Sequence, residues 1–281
     1  MIVSAATLIV LGSAVCHATW NALTHRLDDQ LLAFCWLGVA YLLVGPPLVL
    51  LLPAPAAPAR PFLAVSVGLH GVYNLLLMRT YRLGEFNQVY PLARGTSPLL
   101  VALAAALVVG ERLTPAHALG VVVICVGLAS LVLVGGLPGR AHLPAVRAAL
   151  GTGVVIATYS VVDGVGVRAS GSPFGYAAWL FLFQGPLVPA LVLARHGGRS
   201  WSALRPHRAT GLAAGVLSIT AYGLVLWAQT RGALATVAAL RECSVIVGAG
   251  IGAVWFGERF GRARVVATVL VVAGIGLLNL R

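Results

Sequence analysis

Arg94-Gly95-Thr96-Ser97 runs through an apolar stretch to Gly110-Glu111-Arg112, and 147 positions further on Arg241-Glu242-Cys243-Ser244 runs in the same way to Gly257-Glu258-Arg259. The spacing from arginine to serine to the Gly-Glu-Arg triplet is the same in both places, which marks a duplicated chain. Each copy sets an arginine inside an apolar run. A charge at the centre of a membrane helix costs about 2.5 to 3.5 kcal/mol on insertion scales, so an arginine kept at the same place in both copies has to face a cavity or a partner.

Working outward, the chain is 59% hydrophobic and 9% charged with a mean hydropathy of +0.96, too apolar for a water-soluble domain. A spanning helix takes roughly 20 apolar residues. Cutting at Pro, Gly and Arg clusters predicts ten, at 3–24, 31–52, 61–81, 86–109, 115–134, 146–167, 174–195, 208–229, 233–256 and 261–280. The net charge is +12, and every basic residue behind it is arginine, most placed singly or in small groups between apolar runs. Such residues are anchors at the membrane surface rather than a nucleic-acid face. The first segment lacks a basic start and a cleavage site of small residues, and is expected to be retained. Cys16, Cys35, Cys125 and Cys243 have no paired spacing and read as small packing residues; no metal site is expected.

Each copy holds four apolar segments up to and across Gly-Glu-Arg and one after it. The expected organisation is a single membrane domain made of a first repeat, 1–136 with segments 1 to 5, and a second, 145–281 with segments 6 to 10. Five crossings are odd, so the second repeat enters the membrane inverted, as in many secondary transporters. Weaker echoes fit this pairing: Thr19-Trp20-Asn21 with Thr158-Tyr159-Ser160, and Tyr73 with Tyr222. The odd-numbered connections carry eleven arginines against five for the even-numbered ones and the C-terminus, which by the positive-inside rule puts both termini outside.

Polar residues inside the segments fall into stripes. Tyr90, Arg94 and Ser97 share a helical face in segment 4, next to Pro91 and Pro98; Arg241, Ser244 and Gly248 form the matching face in segment 9. On a straight helix Glu242 turns about 100 degrees from Arg241 and is expected to pair across the bundle. His17, Trp20 and Asn21 in segment 1 repeat as His70, Tyr73 and Asn74 in segment 3, each a histidine, an aromatic and an asparagine at i, i+3, i+4. Tyr159 and Asp163 share a face in segment 6, and Tyr222 and Gln229 lie seven apart in segment 8. Two readings stand for these stripes. They line a solute cavity, with rings for apolar or cationic parts and amides for hydrogen bonds, or they are hydrogen-bonding glue between helices. Asp163 and Glu242 fit an ion pair with an arginine or a proton-carrying site, a role for which His17 and His70 compete. Arg79, near the end of segment 3, can snorkel to the interface, and the Gly-Glu-Arg triplets lie at headgroup level as structural boundaries.

Tyr90-Pro91-Leu92-Ala93-Arg94-Gly95 with Gly110-Glu111-Arg112-Leu113-Thr114, Leu240-Arg241-Glu242-Cys243-Ser244 with Gly257-Glu258-Arg259, and His17-Ala18-Thr19-Trp20-Asn21 together resemble the drug/metabolite transporter superfamily in its ten-helix EamA branch. The resemblance spans essentially the whole chain. It implies an all-α integral membrane fold, two inverted five-helix repeats around a central cavity formed by segments 1, 3, 4, 6, 8 and 9, and both termini inside, opposite to the arginine count. It names no solute.

The sequence thus leads to a secondary transporter, an exporter of small polar metabolites such as amino acids or organic anions, working by alternating access in the cell's inner (plasma) membrane. Arg94 and Arg241 are the expected holders of an anionic group, with protons as a candidate coupling ion and the molecule a monomer or weak homodimer. No Walker motif is present, so ATP is not the direct drive, and no cofactor is expected. The alternatives are efflux of cationic or amphipathic drugs, a flippase for lipid-linked substrates, and a membrane enzyme; for the last, the loops offer only Asp28-Asp29 as paired acids.

Overall fold

A computed structural model describes residues 5–25, 27, 29–83, 86–133, 143–196, 204–256 and 261–280. The described residues form twelve α-helices and no strand. They are α1 (Ala5–His25), α2 (Gln30–Leu51), α3 (Arg60–Leu83), α4 (Phe86–Ala104), α5 (Pro115–Leu133), α6 (Leu143–Ala169), α7 (Pro173–Gln184), α8 (Leu187–His196), α9 (Arg208–Gln229), α10 (Leu234–Arg241), α11 (Ser244–Phe256) and α12 (Arg262–Leu278). Among the described residues seven stretches are long and apolar enough to cross a membrane, with Pro115–Ser130 and Val265–Leu278 shorter apolar helices. The outward face is hydrocarbon: Leu43, Leu50, Leu103, Leu107 and Val269 are all more than half exposed. In a bilayer this exposure is stable, because lipid tails are as apolar as leucine.

Two expected segments are interrupted. Segment 7 breaks into α7 and α8 at Gly185-Pro186, where proline supplies no backbone N–H for the ladder. Segment 9 breaks into α10 and α11 at Glu242-Cys243, where the ladder tightens: Cys243 N donates to Leu240 O at 3.2 Å, Val245 N to Glu242 O at 3.0 Å and Ile246 N to Cys243 O at 3.0 Å. The stripe from Arg241 to Ser244 and Gly248 crosses this break, and in a 3-10-type turn residues three apart stay on one side of the helix.

α4 ends in a π turn over Ala105–Val109, and Gly110 closes it with φ of 74°. A left-handed residue suits that position, which accounts for the glycine of the first Gly-Glu-Arg. The second triplet, Gly257-Glu258-Arg259, lies outside the described residues.

Glycines bring the helices together. A Cβ on Gly120 would sit 3.0 Å from Gly274 O, and one on Gly274 would sit 2.9 Å from Gly120 O, so α5 and α12 touch backbone to backbone. Gly153 of α6 meets Thr96 and Ala93 of α4, while Gly211 and Gly215 of α9 meet Trp36 and Ala40 of α2. The neighbours recur when the halves are exchanged: α3 packs on α6 as α9 packs on α1, α4 packs on α6 as α10 and α11 pack on α1, and α5 packs on α12. The centre of the molecule is the place where α1, α3, α6 and α9 converge.

Candidate functional site

The converging helices enclose a central cavity walled mainly by rings. His17 and Trp20 come from α1, His70 and Tyr73 from α3, Tyr159 from α6 and Tyr222 from α9. The rings touch in a chain: His70 lies 4.2 Å from Tyr159 at 30°, His70 lies 5.3 Å from Tyr222, and Tyr73 and Tyr159 meet edge to face at 5.6 Å. Such contacts hold each ring in one orientation. Asn74, Gln184 and Ser218 supply polar atoms in the wall, and Tyr41 donates to or accepts from Ser218 at 2.8 Å. Both aromatic echoes seen in the sequence, Trp20 with Tyr159 and Tyr73 with Tyr222, line this one cavity.

Hydrogen bonds assign the two imidazoles opposite roles. Trp20 Nε1 can only donate, and it does so to His17 Nδ1 at 3.2 Å, so the proton of neutral His17 sits on Nε2. His70 Nδ1 lies 3.0 Å from Ser66 O, a carbonyl that can only accept, so this nitrogen carries a proton and Nε2 of the neutral ring is an acceptor. Neutral His17 and His70 therefore offer a donor and an acceptor at the cavity.

The charged residues form a second layer behind the rings. Arg94 Nε lies 2.5 Å from Glu242 Oε2, a charge contact whose angle is not that of a hydrogen bond, and Arg241 Nη2 lies 3.3 Å from Glu242 Oε1. Arg94 Nη2 also donates to Ser244 Oγ, and Arg241 Nη2 to Ser160 Oγ, both at 3.4 Å. One carboxylate thus joins the arginines of the two halves at the break in segment 9. Glu242 pairs across the bundle as expected and with its neighbour Arg241 as well. Among the described residues Asp163 meets no arginine in a salt bridge; it accepts from Tyr176 Oη at 2.9 Å and from Tyr222 Oη. All four charges are buried, and Arg94, Arg241, Glu242 and Asp163 sum to zero when ionised, which suits an apolar interior.

Of the residues picked out in the sequence, His17, Trp20, Tyr73, Asn74, Tyr159 and Tyr222 line the cavity. Arg94, Asp163, Arg241, Glu242 and Ser244 stand in the layer behind it, and Ser97 Oγ is buried with no hydrogen-bond partner among the described residues. Asn21 Nδ2 is spent on His17 O at 2.8 Å. The side chain of Tyr90 lies outside the described ones. Sequence reasoning passed over Tyr41, Gln184 and Ser218 as wall residues and Tyr176 as a partner of Asp163. A stripe search within one helix gives no signal for residues that contribute singly. Arg79 is exposed, as a snorkelling residue should be.

Glu111 of the first Gly-Glu-Arg fastens one end of the bundle. It pairs with Arg168 Nη1 at 2.7 Å and accepts from Leu234 N at 2.8 Å, while Arg168 donates to Gln229 O and Gly232 O, both at 2.8 Å. The pair is partly exposed, at 32% for Arg168 and 15% for Glu111, so screening limits its worth. Glu111→Gln is expected to lower stability by no more than about 1 kcal/mol, read as a small shift in thermal unfolding in detergent.

The second half, residues 143–280, matches the EamA-like transporter family. The chain thus carries an EamA-like transporter domain. A solved structure titled only "Crystal structure of protein" superposes with a TM-score of 0.76 at 21% identity, covering 98% of this chain and 96% of that one, so the fold extends over both halves. No curated protein matches the sequence. As an EamA-like protein the chain is a multi-pass membrane transporter of the drug/metabolite type, and its cavity is the place to look for a small-molecule solute.

Proposed function

We propose that this EamA-like protein exports a small amphipathic metabolite bearing a carboxylate, of the amino-acid or organic-acid kind, across the cell's inner membrane by alternating access. The observation that carries the reading is the central cavity, built from both halves of the chain and combining rings with amide, hydroxyl and imidazole groups. Its volume of about 60 Å³ is far below the roughly 300 Å³ or more of ligand pockets. In this reading the conformation is a closed one between loading and release. The exchangeable packing of the helices supports two repeats, 1–136 and 145–281, and their odd number of crossings supports inversion, so that rocking one repeat against the other opens the cavity to each side in turn.

The rings and Asn74 contact the apolar and amino parts of the solute. Arg94 and Arg241 hold its anionic group, which competes with Glu242 for them, with Ser97 and Ser244 beside them. Arg241 stands over Tyr159 with its guanidinium carbon 5.9 Å from the ring centroid, so it is one ring away from the cavity. A second reading, efflux of cationic drugs, is favoured by one feature, the Asp163 carboxylate behind Tyr222. Uptake by purified protein in liposomes across amino acids, organic acids, phosphonates and quaternary cations, with and without a proton gradient, separates the two. Zwitterions or anions are expected to move, and Tyr159→Ala is expected to lower that flux at least tenfold while the protein remains monodisperse. Movement of quaternary cations alone would transfer the function to the second reading.

A further inference from the structure

A larger cavity lies on the outside of the bundle. Between the first turns of α3 and the outer face of α7 there is a cleft of about 730 Å³, with Arg60 at its rim and Leu63, Val67, Trp179 and Phe183 along its walls. Arg60 is the first residue of α3, which places it at headgroup level, and it is exposed and makes no ion pair among the described residues. Along α3 the wall runs from Arg60 to Val67, a rise of about 10 Å, against about 15 Å for half of a hydrocarbon core roughly 30 Å thick. The cleft therefore fits within one leaflet, with a cation at the water end and apolar walls beyond it.

We propose that this cleft is a binding site for one anionic phospholipid, its phosphate on Arg60 and an acyl chain along Leu63, Val67, Trp179 and Phe183. The dimensions match a chain within one leaflet, and the charge selects an anionic headgroup. The other side of α7 gives the site its consequence. Phe181 and Gln184 of the same short helix line the central cavity, and the helix ends at Gly185-Pro186, so the lipid rests on the back of a half-helix that walls the solute site. Bound lipid stabilises α7 whatever solute the cavity takes, and the site stands or falls independently of the transport reading.

The test is native mass spectrometry of the purified protein titrated with dioleoylphosphatidylglycerol or dioleoylphosphatidylcholine, together with fluorescence quenching by phosphatidylglycerol brominated in its acyl chains. The glycerol lipid is expected to be retained in preference, Arg60→Ala to weaken it about fivefold with the choline lipid unchanged, and Val67→Trp to expel it by filling the cleft without altering charge. Trp179→Phe is expected to remove the main quenchable emission. Equal retention of the two lipids by wild type and Arg60→Ala, or unchanged quenching in Trp179→Phe, would overturn the assignment. So would displacement of the phosphatidylglycerol by L-leucine, which would make the cleft a path for solute.

Discussion

Glu242→Ala is expected to lower stability by about 3 to 5 kcal/mol, enough to leave little folded protein after extraction, because it strands two buried arginines without their shared carboxylate. The measurement is the monodisperse fraction and thermal midpoint in detergent. The comparison that isolates the cause replaces Arg94, Arg241 and Glu242 together by apolar residues of similar volume and Asp163 by Asn, so that no buried charge is left unbalanced. Removing a whole buried charge cluster is often neutral or stabilising, so the quadruple variant should recover folding. If the arginines also hold the solute, that folded variant will not transport; full transport by it would assign the cluster to structure alone.

Gly38→Val is expected to reduce transport by about tenfold to a hundredfold while leaving the protein folded. A Cβ at Gly38 would sit 2.5 Å from Gly185 O and 2.5 Å from Pro189 Cδ, so α2 could no longer close on the break between α7 and α8 beside the cavity. Overpacking of this kind costs typically about 1 to 3 kcal/mol, here charged to the closed form alone, and each 1.4 kcal/mol shifts a two-state population about tenfold. Initial rates of solute exchange in liposomes check it. An unchanged rate would mean that the α2 to α7 contact does not move during transport.

The fold was legible from the sequence wherever local pattern governs. Segment 8 was placed at 208–229 and α9 occupies those residues, and Gly110-Glu111-Arg112 was placed at a helix boundary that the left-handed glycine and the Glu111 contacts explain. The aromatic stripes were legible too, because histidine, ring and amide at i, i+3, i+4 must share a face. Where the reading stopped, long-range partners governed. Nothing next to Glu242 announces a break, since its turn is tightened where the carboxylate meets Arg94 from the other half. For Asp163 the sequence left an arginine pair and a proton-carrying role open, and gave no sign of the hydrogen bonds it accepts from tyrosines of α7 and α9. Gly185-Pro186 was the exception, a break signal present in the sequence and absorbed into a longer apolar run.

The central claim is that the ring-lined cavity is the solute site and opens to each side of the membrane in turn. A single cysteine at Asn74, in a background with Cys16, Cys35, Cys125 and Cys243 replaced by alanine, reports on it directly through alkylation by a membrane-impermeant maleimide applied to either face of oriented vesicles. Reaction from both faces, slowed in each case by the solute that the liposome panel identifies, is the expected result. Reaction from one face only, at a rate no transported solute alters, would contradict the account.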